Sequence, residues 1–258
     1  MMNVSGQVSR MTLYHSMEDY FFSSVSQQTY SLGNTASAYL TGVDAGSLNL
    51  LIVKQRDAET ESIIKEGMRL FDAAGVPFSV VLPDNDPDRI GHSLRELGLS
   101  VAWKSSPMQL TMKTLTTQKP RSDDYHICAT DYRLEDWGAP LTSAFETDDR
   151  VMLQYRIRHQ HAVEAGRQLR HFSLFVADRA ACSLTLSMQS GVARLDDVGT
   201  RSTLQGRGYA SALIRHALEY ARSQNVETCF LEASEAGVSI YKRLGFTLLG
   251  SCVAFQRE

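Results

Sequence analysis

The six residues Gln205-Gly206-Arg207-Gly208-Tyr209-Ala210 are the part of this chain whose types and spacing most directly allow chemistry. They stand between a strand-like run, residues 193–200, and a segment with apolar residues at Leu213, Ile214, Ala217 and Leu218, the spacing of a helix. A helix start leaves its first N–H groups without intrahelical partners. With the positive end of the helix dipole, those groups form a site for a phosphate or pyrophosphate. Gly206 and Gly208 let the backbone approach an anion with no Cβ in the way, and Arg207 adds charge at the rim. A dinucleotide fold would want a third glycine where Ser211 stands, and a nucleotide P-loop would want Gly-Lys-Ser/Thr, which is absent. Taken alone, the pattern leaves a second reading open: glycines that serve a tight turn and close helix packing.

Other groups with chemical potential are fewer. Asp196 and Asp197 sit on the strand that feeds the loop. Strict alternation would send them to opposite faces, with Asp196 sharing its face with Val198 and Thr200. His159 and His161 lie on a helical segment, about 200° apart at ~100° per residue, so they do not share a metal there. His171 on a strand could approach them, but no acidic or Cys partner has ligand spacing, and no metal site is expected. No Gly-x-Ser-x-Gly elbow or other nucleophile arrangement is present. Arg150, Arg156, Arg158, Arg167 and Arg170 read as a solvated face interleaved with Asp148 and Glu164.

The elements that must position these residues fall into two halves. Polar, turn-prone residues 116–124 divide the 258-residue chain into an expected first domain at 1–117, a linker at 118–124 and a second domain at 125–258. After an opening of forty-odd aromatic and Ser-rich residues with weak periodicity, residues 47–54 and 78–82 read as strands. Residues 58–74 and 88–97 read as helices, and 108–112 as a further strand. In the second half, strands are expected at 126–130, 172–177, 182–188, 193–200, 228–233 and 246–255. Helices are expected at 134–145, 149–165 and 209–223, with a short one ending at Leu244. Hairpins followed by strand–helix–strand units indicate an α+β or mixed α/β class. Ser93-Leu94-Arg95-Glu96-Leu97-Gly98-Leu99 echoes Ile240-Tyr241-Lys242-Arg243-Leu244-Gly245-Phe246, as expected of two copies of one fold.

A net charge of −3 argues against nucleic-acid or membrane binding, which normally needs a basic excess. The four cysteines form no C-x-x-C pair or secretory framework, and residues 1–11 show no charged start followed by an apolar core. A reduced, cytoplasmic compartment is expected.

Residues 205–210 match the Arg/Gln-x-x-Gly-x-Gly/Ala signature of the GNAT superfamily of acetyl-CoA-dependent N-acetyltransferases. Asp196-Asp197-Val198 before the signature and residues 240–246 after it agree with the family's spacing. The resemblance covers residues 125–258, and the internal echo makes the chain similar to a tandem GNAT protein. It implies two GNAT-like domains, each a twisted, mostly antiparallel sheet flanked by helices. It also implies acetyl-CoA as acyl donor and a small-molecule or protein amine as acceptor, in a monomer or homodimer. In such proteins the strand at Val198, Gly199 and Thr200 pairs with the pantetheine arm. The loop Gln205, Gly206, Arg207, Gly208, Tyr209 and Ala210 holds the pyrophosphate, and the position of Ser234 contributes a further cofactor contact. The resemblance gives Tyr241 the role of protonating the departing thiolate. It gives an acidic residue on the strand, Asp196 first and Asp197 second, the role of taking the amine's proton. An alkyl ammonium, with a pKa near ~10.4, must lose that proton before it can attack.

Departures from the family pattern are also visible. Ser234 stands where an Asn is common, and Gly237 where Ala is frequent. In the first half, Gln55-Arg56-Asp57-Ala58-Glu59 replaces the glycine loop and Leu94 the tyrosine, so that copy is not expected to bind acetyl-CoA. Direct transfer in a ternary complex is the expected reaction. A non-catalytic CoA-binding sensor, and a scaffold with no ligand, are the alternatives.

Overall fold

The computed structural model describes residues 4–84, 87–115 and 124–257. The expected linker at 118–124 lies outside these residues except for Asp124. Among the described residues seven α-helices surround one twelve-stranded mixed sheet. None of these helices is long and apolar enough to cross a membrane.

The first half begins with α1 (Val4–Val25), which the sequence reading left without structure, and a hairpin of β1 (Gln28–Leu32) and β2 (Ala36–Leu40). Then come β3 (Leu50–Val53), α2 (Thr60–Ala74), β4 (Ser79–Pro83), α3 (Pro87–Glu96) and β5 (Leu99–Thr111). The second half runs β6 (His126–Ala129), α4 (Leu134–Ala144), α5 (Asp149–Glu164), β7 (Leu169–Val176), β8 (Arg179–Gln189) and β9 (Val192–Thr200). It closes with α6 (Tyr209–Ser223), β10 (Thr228–Ser234), α7 (Val238–Arg243), β11 (Thr247–Leu248) and β12 (Cys252–Arg257). Two strand pairs are parallel, β3–β4 and β9–β10, and each is joined by a crossover helix. These are the two echoing units. Gly98 and Gly245, equivalent in the echo, both adopt positive φ (74° and 98°) just after α3 and α7.

Sequence order does not predict how the halves join. Strand order is β1-β2-β3-β4-β12-β5-β10-β9-β8-β7-β6, with β11 also on β5. The last strand of the chain therefore sits in the first half, between β4 and β5. The far end of β5 pairs antiparallel with β10, from Thr111↔Thr228 to Ser105↔Ser234. Expectation differed in two places here. The short strand at 108–112 is the end of a 13-residue strand, and the single strand at 246–255 breaks into β11 and β12 where the chain crosses over.

The cores follow the exchange. Met108, Leu110 and Met112 of the first half pack with Leu213, Ile214, Ala217 and Leu218 of α6. Val253 and Phe255 of the second half pack with Leu51, Ile64 and Phe71 of the first. On the sheet face opposite α6, α1, α4 and α5 build a third cluster around Phe21, Trp137, Leu141 and Tyr155. The arginines read as a solvated face instead tie elements together: Arg150 pairs with Asp44, Arg156 with Glu135 and Arg170 with Asp131, while Arg158 donates to the Val25 carbonyl and Arg167 stacks on Tyr20.

Because each half completes the other's sheet, unfolding is expected to be a single calorimetric transition. Leu110→Ala and Phe255→Ala should each weaken that one transition, by about 2–5 and 3–5 kcal/mol respectively. Two transitions that respond separately to the two substitutions would contradict the exchange.

Candidate active site

β9 and β10 run side by side only from Val192↔Thr228 to Leu195↔Leu231. Beyond that point they diverge, held on their outer edges by β8 and β5. The opening is flanked on one strand by Asp196, Asp197, Val198, Gly199 and Thr200, and on the other by Glu232 and Ser234. Backbone groups lining such a gap are free to pair with an extended ligand.

At the end of β9 the chain makes a short 3-10 turn (Ser202–Leu204) and enters the glycine loop. Gly206 and Gly208 have φ of +76° and +83°, a region L-residues rarely adopt, and a Cβ at either would meet only open space. Gly208 caps α6 with no side-chain hydrogen bond, and the first helical bond runs from the Ala212 N–H to the Gly208 carbonyl. Residues 205–208 are exposed, Tyr209 and Ala210 partly so. The loop is steadied from behind, where the Gln205 amide donates to the Thr200 carbonyl (3.3 Å).

The equivalent helix start in the first half is closed. There the Asp57 carboxylate accepts from the Glu59 N–H (2.9 Å) and the Thr60 hydroxyl accepts from the Asp57 N–H (2.8 Å). Asp57 thus sits where an anion would otherwise bind, and Glu61 adds a second negative charge in the first turn.

Within the opening, the parity argument that set Asp196 with Val198 and Thr200 does not hold. Gly199 pairs with Ser183 and Asp196 with Thr185, so two residues of β9, Asp197 and Val198, oppose Leu184 alone. This bulge, with Asp197 at φ +54°, turns both carboxyls towards one cavity. Asp196 accepts from Arg194 Nε through both oxygens (2.9 and 3.1 Å). Asp197 accepts from the Tyr155 hydroxyl (3.0 Å) and the Thr185 hydroxyl (2.8 Å). Burial pushes the Asp196 carboxyl up to about 7, against the pull of Arg194. Burial also raises Asp197 and Glu232 above the usual carboxylate range. Gly199 is required for packing as well, since a Cβ there would lie 2.7 Å from Leu141 Cδ2 on α4.

Tyr241, on α7, is partly buried and packs edge-on against Phe246 (5.9 Å between centroids). A Cβ at Gly237 would come within 3.0 Å of its ring, so this glycine gives the ring its place. Burial, with smaller contributions from Cys182 and Asp196, raises the phenol well above its ordinary range, so it stays a proton donor at neutral pH. The Ser234 hydroxyl accepts from the Gly237 N–H (3.3 Å), tying the end of β10 to α7.

Two adjoining cavities of about 250 and 430 Å³ reach the carboxyls from the side of the first half; both are lined by Ser47, Leu48, Trp103, Tyr155 and Asp197. A larger one, of about 790 Å³, lies beyond, at the ends of β3 and β4. Several residues here went unremarked in the sequence. Arg194, 1 % exposed, lies between the rings of Tyr14 and Phe22 and 3.8 Å from Glu232. Its place two positions before Asp196 on one strand was a readable signal; Tyr14, Trp103 and Tyr155 reach the site from distant elements and carried none.

A sequence profile of the acetyltransferase (GNAT) family matches residues 130–246. Among curated proteins, none matches the chain by sequence. Among solved structures the chain is similar to a GCN5-related N-acetyltransferase from Kribbella flavida (15 % identity, 95 % of each chain covered, TM-score 0.68). It is also similar to a GCN5-related N-acetyltransferase from Sphaerobacter thermophilus (13 % identity, 87 % of this chain and 76 % of that one, TM-score 0.62). A third likeness is to a tandem GNAT protein from the clavulanic acid biosynthesis pathway (11 % identity, 90 % and 83 % covered, TM-score 0.56). At these identities the likeness is one of fold. Residues 130–246 match the acetyltransferase (GNAT) family, in a chain with the fold of the GCN5-related N-acetyltransferases.

Proposed function

We propose that this protein transfers the acetyl group of acetyl-CoA to a primary amine by direct attack in a ternary complex. The observation that carries this reading is the pairing of a diverging parallel strand pair with an exposed, glycine-opened helix start at α6, while just ahead of α2 the Asp57 carboxylate already accepts the Glu59 N–H. The pyrophosphate would accept N–H groups of residues 206–211, and the pantetheine arm would pair with the backbone of Val198–Thr200. The residues fit such a group: the loop is open where a Cβ would stand, and Arg207 lies exposed beside it.

The carboxyl pair and Tyr241 would then serve the thioester of a donor held this way. The Val198 N–H would polarise its carbonyl. The acceptor enters through the cavities beside Trp103 and Tyr155, so the first half forms one wall of its site. Holding amine and thioester together supplies ~7–11 kcal/mol of the barrier reduction. Asp196, half ionised near neutrality, takes the ammonium proton directly or through water, with Asp197 beside it. Tyr241 returns a proton to the departing thiolate.

Saturating acetyl-CoA, at ~100 times its dissociation constant, should add about 2.7 kcal/mol to the folded state and raise the melting temperature by roughly 5–10 °C. Gly208→Glu, which forces a Cβ onto a positive φ and a carboxylate onto the anion site, should abolish that rise. A rise that survives the substitution would place the cofactor elsewhere.

Catalysis has its own signature. As pH increases through about 7, Asp196 loses its proton and kcat/KM should climb, because only the carboxylate accepts the ammonium proton. Asp196→Asn should remove this limb and lower the rate by ~10²–10⁴-fold, and Tyr241→Phe should lower kcat with little change in acetyl-CoA affinity. Indifference of CoA release to both substitutions would leave a CoA-binding sensor as the better reading.

A further inference from the structure

Behind Asp197 lies a chain of buried groups that the reading above does not use. His159 on α5 and His171 on β7 are both 0 % exposed, and His159 Nδ1 lies 2.8 Å from His171 Nε2. His171 Nδ1 is 3.2 Å from Asp131 Oδ1, and Asp131 also accepts from the His171 N–H (2.7 Å) and from Arg170 (2.8 Å). At the other end His159 Nε2 is buried without a hydrogen-bond partner, 3.7 Å from Asp197 Oδ2.

These contacts dictate the tautomers. Hydrogen bonds from His171 and Arg170 hold Asp131 below the usual carboxylate range, although burial alone would raise it. As a carboxylate it accepts from His171 Nδ1–H, which leaves His171 Nε2 as an acceptor. His159 must then donate through Nδ1–H, and its Nε2 carries a bare lone pair 3.7 Å from Asp197 Oδ2. A purely structural histidine in a core has both ring nitrogens partnered, and here one basic nitrogen is left facing the active site.

We propose that His159 and His171 form a proton reservoir for acetyl transfer: the proton lost by the acceptor ammonium passes through the Asp197 carboxyl to His159 Nε2, and the His159 Nδ1 proton moves to His171 Nε2. This assignment rests on the acetyltransferase reading. The ammonium N–H bond breaks as an O–H bond forms on Asp196; that proton crosses the cavity both carboxyls line to form O–H on Asp197, and the Asp197 O–H bond breaks as N–H forms on His159. The chain ends with one added proton, carried by His171 as an imidazolium paired with the Asp131 carboxylate, while His159 remains neutral. When product leaves, the reverse hops deliver the proton to water entering the cleft and restore the starting tautomers. Asp196, whose oxygens both lie against Arg194 Nε, has no direct path to the histidines, so Asp197 is the link between the base and the pair.

The surroundings suit this division of labour. The charged and titratable groups around the pair are Asp131 and Arg170 at one end, with Asp197 and Tyr155 at the other and Asp196 and Arg194 beyond. α4 and α1 contribute rings, Trp137 at 4.4 Å from His159 and Phe21 at 6.1 Å, and β8 contributes the Thr185 hydroxyl on Asp197. Burial and the neighbouring His171 hold His159 well below the usual imidazole range, so it passes a proton on and does not keep it.

The test uses the full-length protein in two arms. In the first, ¹⁵N-histidine NMR of the free wild type at pH 8 should show both rings neutral and protonated at Nδ1. A His159 ring protonated at Nε2 would overturn the reservoir whether or not the protein turns over. In the second, CoA release from acetyl-CoA is followed from pH 6.5 to 9.5 with n-butylamine, putrescine, glucosamine and glycinamide as probes. His159→Gln and Asp131→Asn should each slow release about 10–100-fold at pH 7, with the acetyl-CoA dissociation constant unchanged. With glucosamine and glycinamide, whose amines are less basic, the deficit should shrink to roughly twofold by pH 9.5, where bulk solvent deprotonates them; n-butylamine and putrescine stay mostly protonated there and should keep most of it. A deficit that stays constant across the range with glucosamine and glycinamide marks a structural role only and overturns the proposal. Absence of release by the wild type with every probe would count against acetyl transfer itself, and the first arm would still decide the tautomers.

Discussion

β10 is hydrogen bonded over all seven of its residues to β5, and over only its first four to β9. The rest of the site depends on that inequality. A strand whose backbone groups are satisfied along one edge can leave its neighbour on the other edge without unfolding, and the space between the two is where a ligand's backbone-like groups can pair. The strand that holds β10 belongs to the first half of the chain. The half without the glycine loop is therefore structurally necessary to the opening, quite apart from any ligand of its own.

The same junction buries an unusual amount of charge. Arg194, Asp196, Glu232 and Glu18 meet beneath α1, with the Tyr14 hydroxyl 3.0 Å from both glutamates and the Arg194 guanidinium 5.3 Å from the Tyr14 ring centroid. Buried ion pairs contribute little net stability against an apolar packing of equal volume, yet removing one partner leaves an uncompensated charge. The arrangement is best understood as specifying how α1 seats across β9 and β10. It also sets the electrostatics of the cleft, because burial raises Asp196, Asp197 and Glu232 while Arg194 prevents Asp196 from rising further.

The two echoing units show how little local change separates an open helix start from a closed one. Both present a parallel strand pair, a crossover helix and a following αL glycine. They differ at the helix start. In α6 a glycine cap leaves the N–H groups outward and exposed; in α2 Asp57 and Thr60 supply the capping bonds themselves. A carboxylate of the chain there makes the same kind of interaction that an anionic ligand would make, so the start of α2 is stabilised from within.

Local chemistry was legible in the sequence. The open helix start at residues 205–210, the closed one at 55–59, the position of α6 and the alternation of strands and helices follow from glycine placement, apolar periodicity and the family signature, all short-range properties of the chain. What depends on contacts between distant segments was not. α1 keeps Tyr14, Met17, Phe21 and Val25 buried, but interleaves them with the buried Glu18 and Ser24, so its periodicity blurred. The exchange of β5 and β12 has no local signal, because either half could have kept its own strand with the same alternation. The bulge at Asp197 adds one residue to β9 and so overturned an argument from parity, which assumes an unbroken ladder. His159 and His171 are 12 residues apart in sequence and met only because α5 packs against the sheet. Sequence alone determined which helix start is left open by glycines; tertiary structure decided which side chains line the opening beside it, because burial and long-range strand pairing set their neighbours.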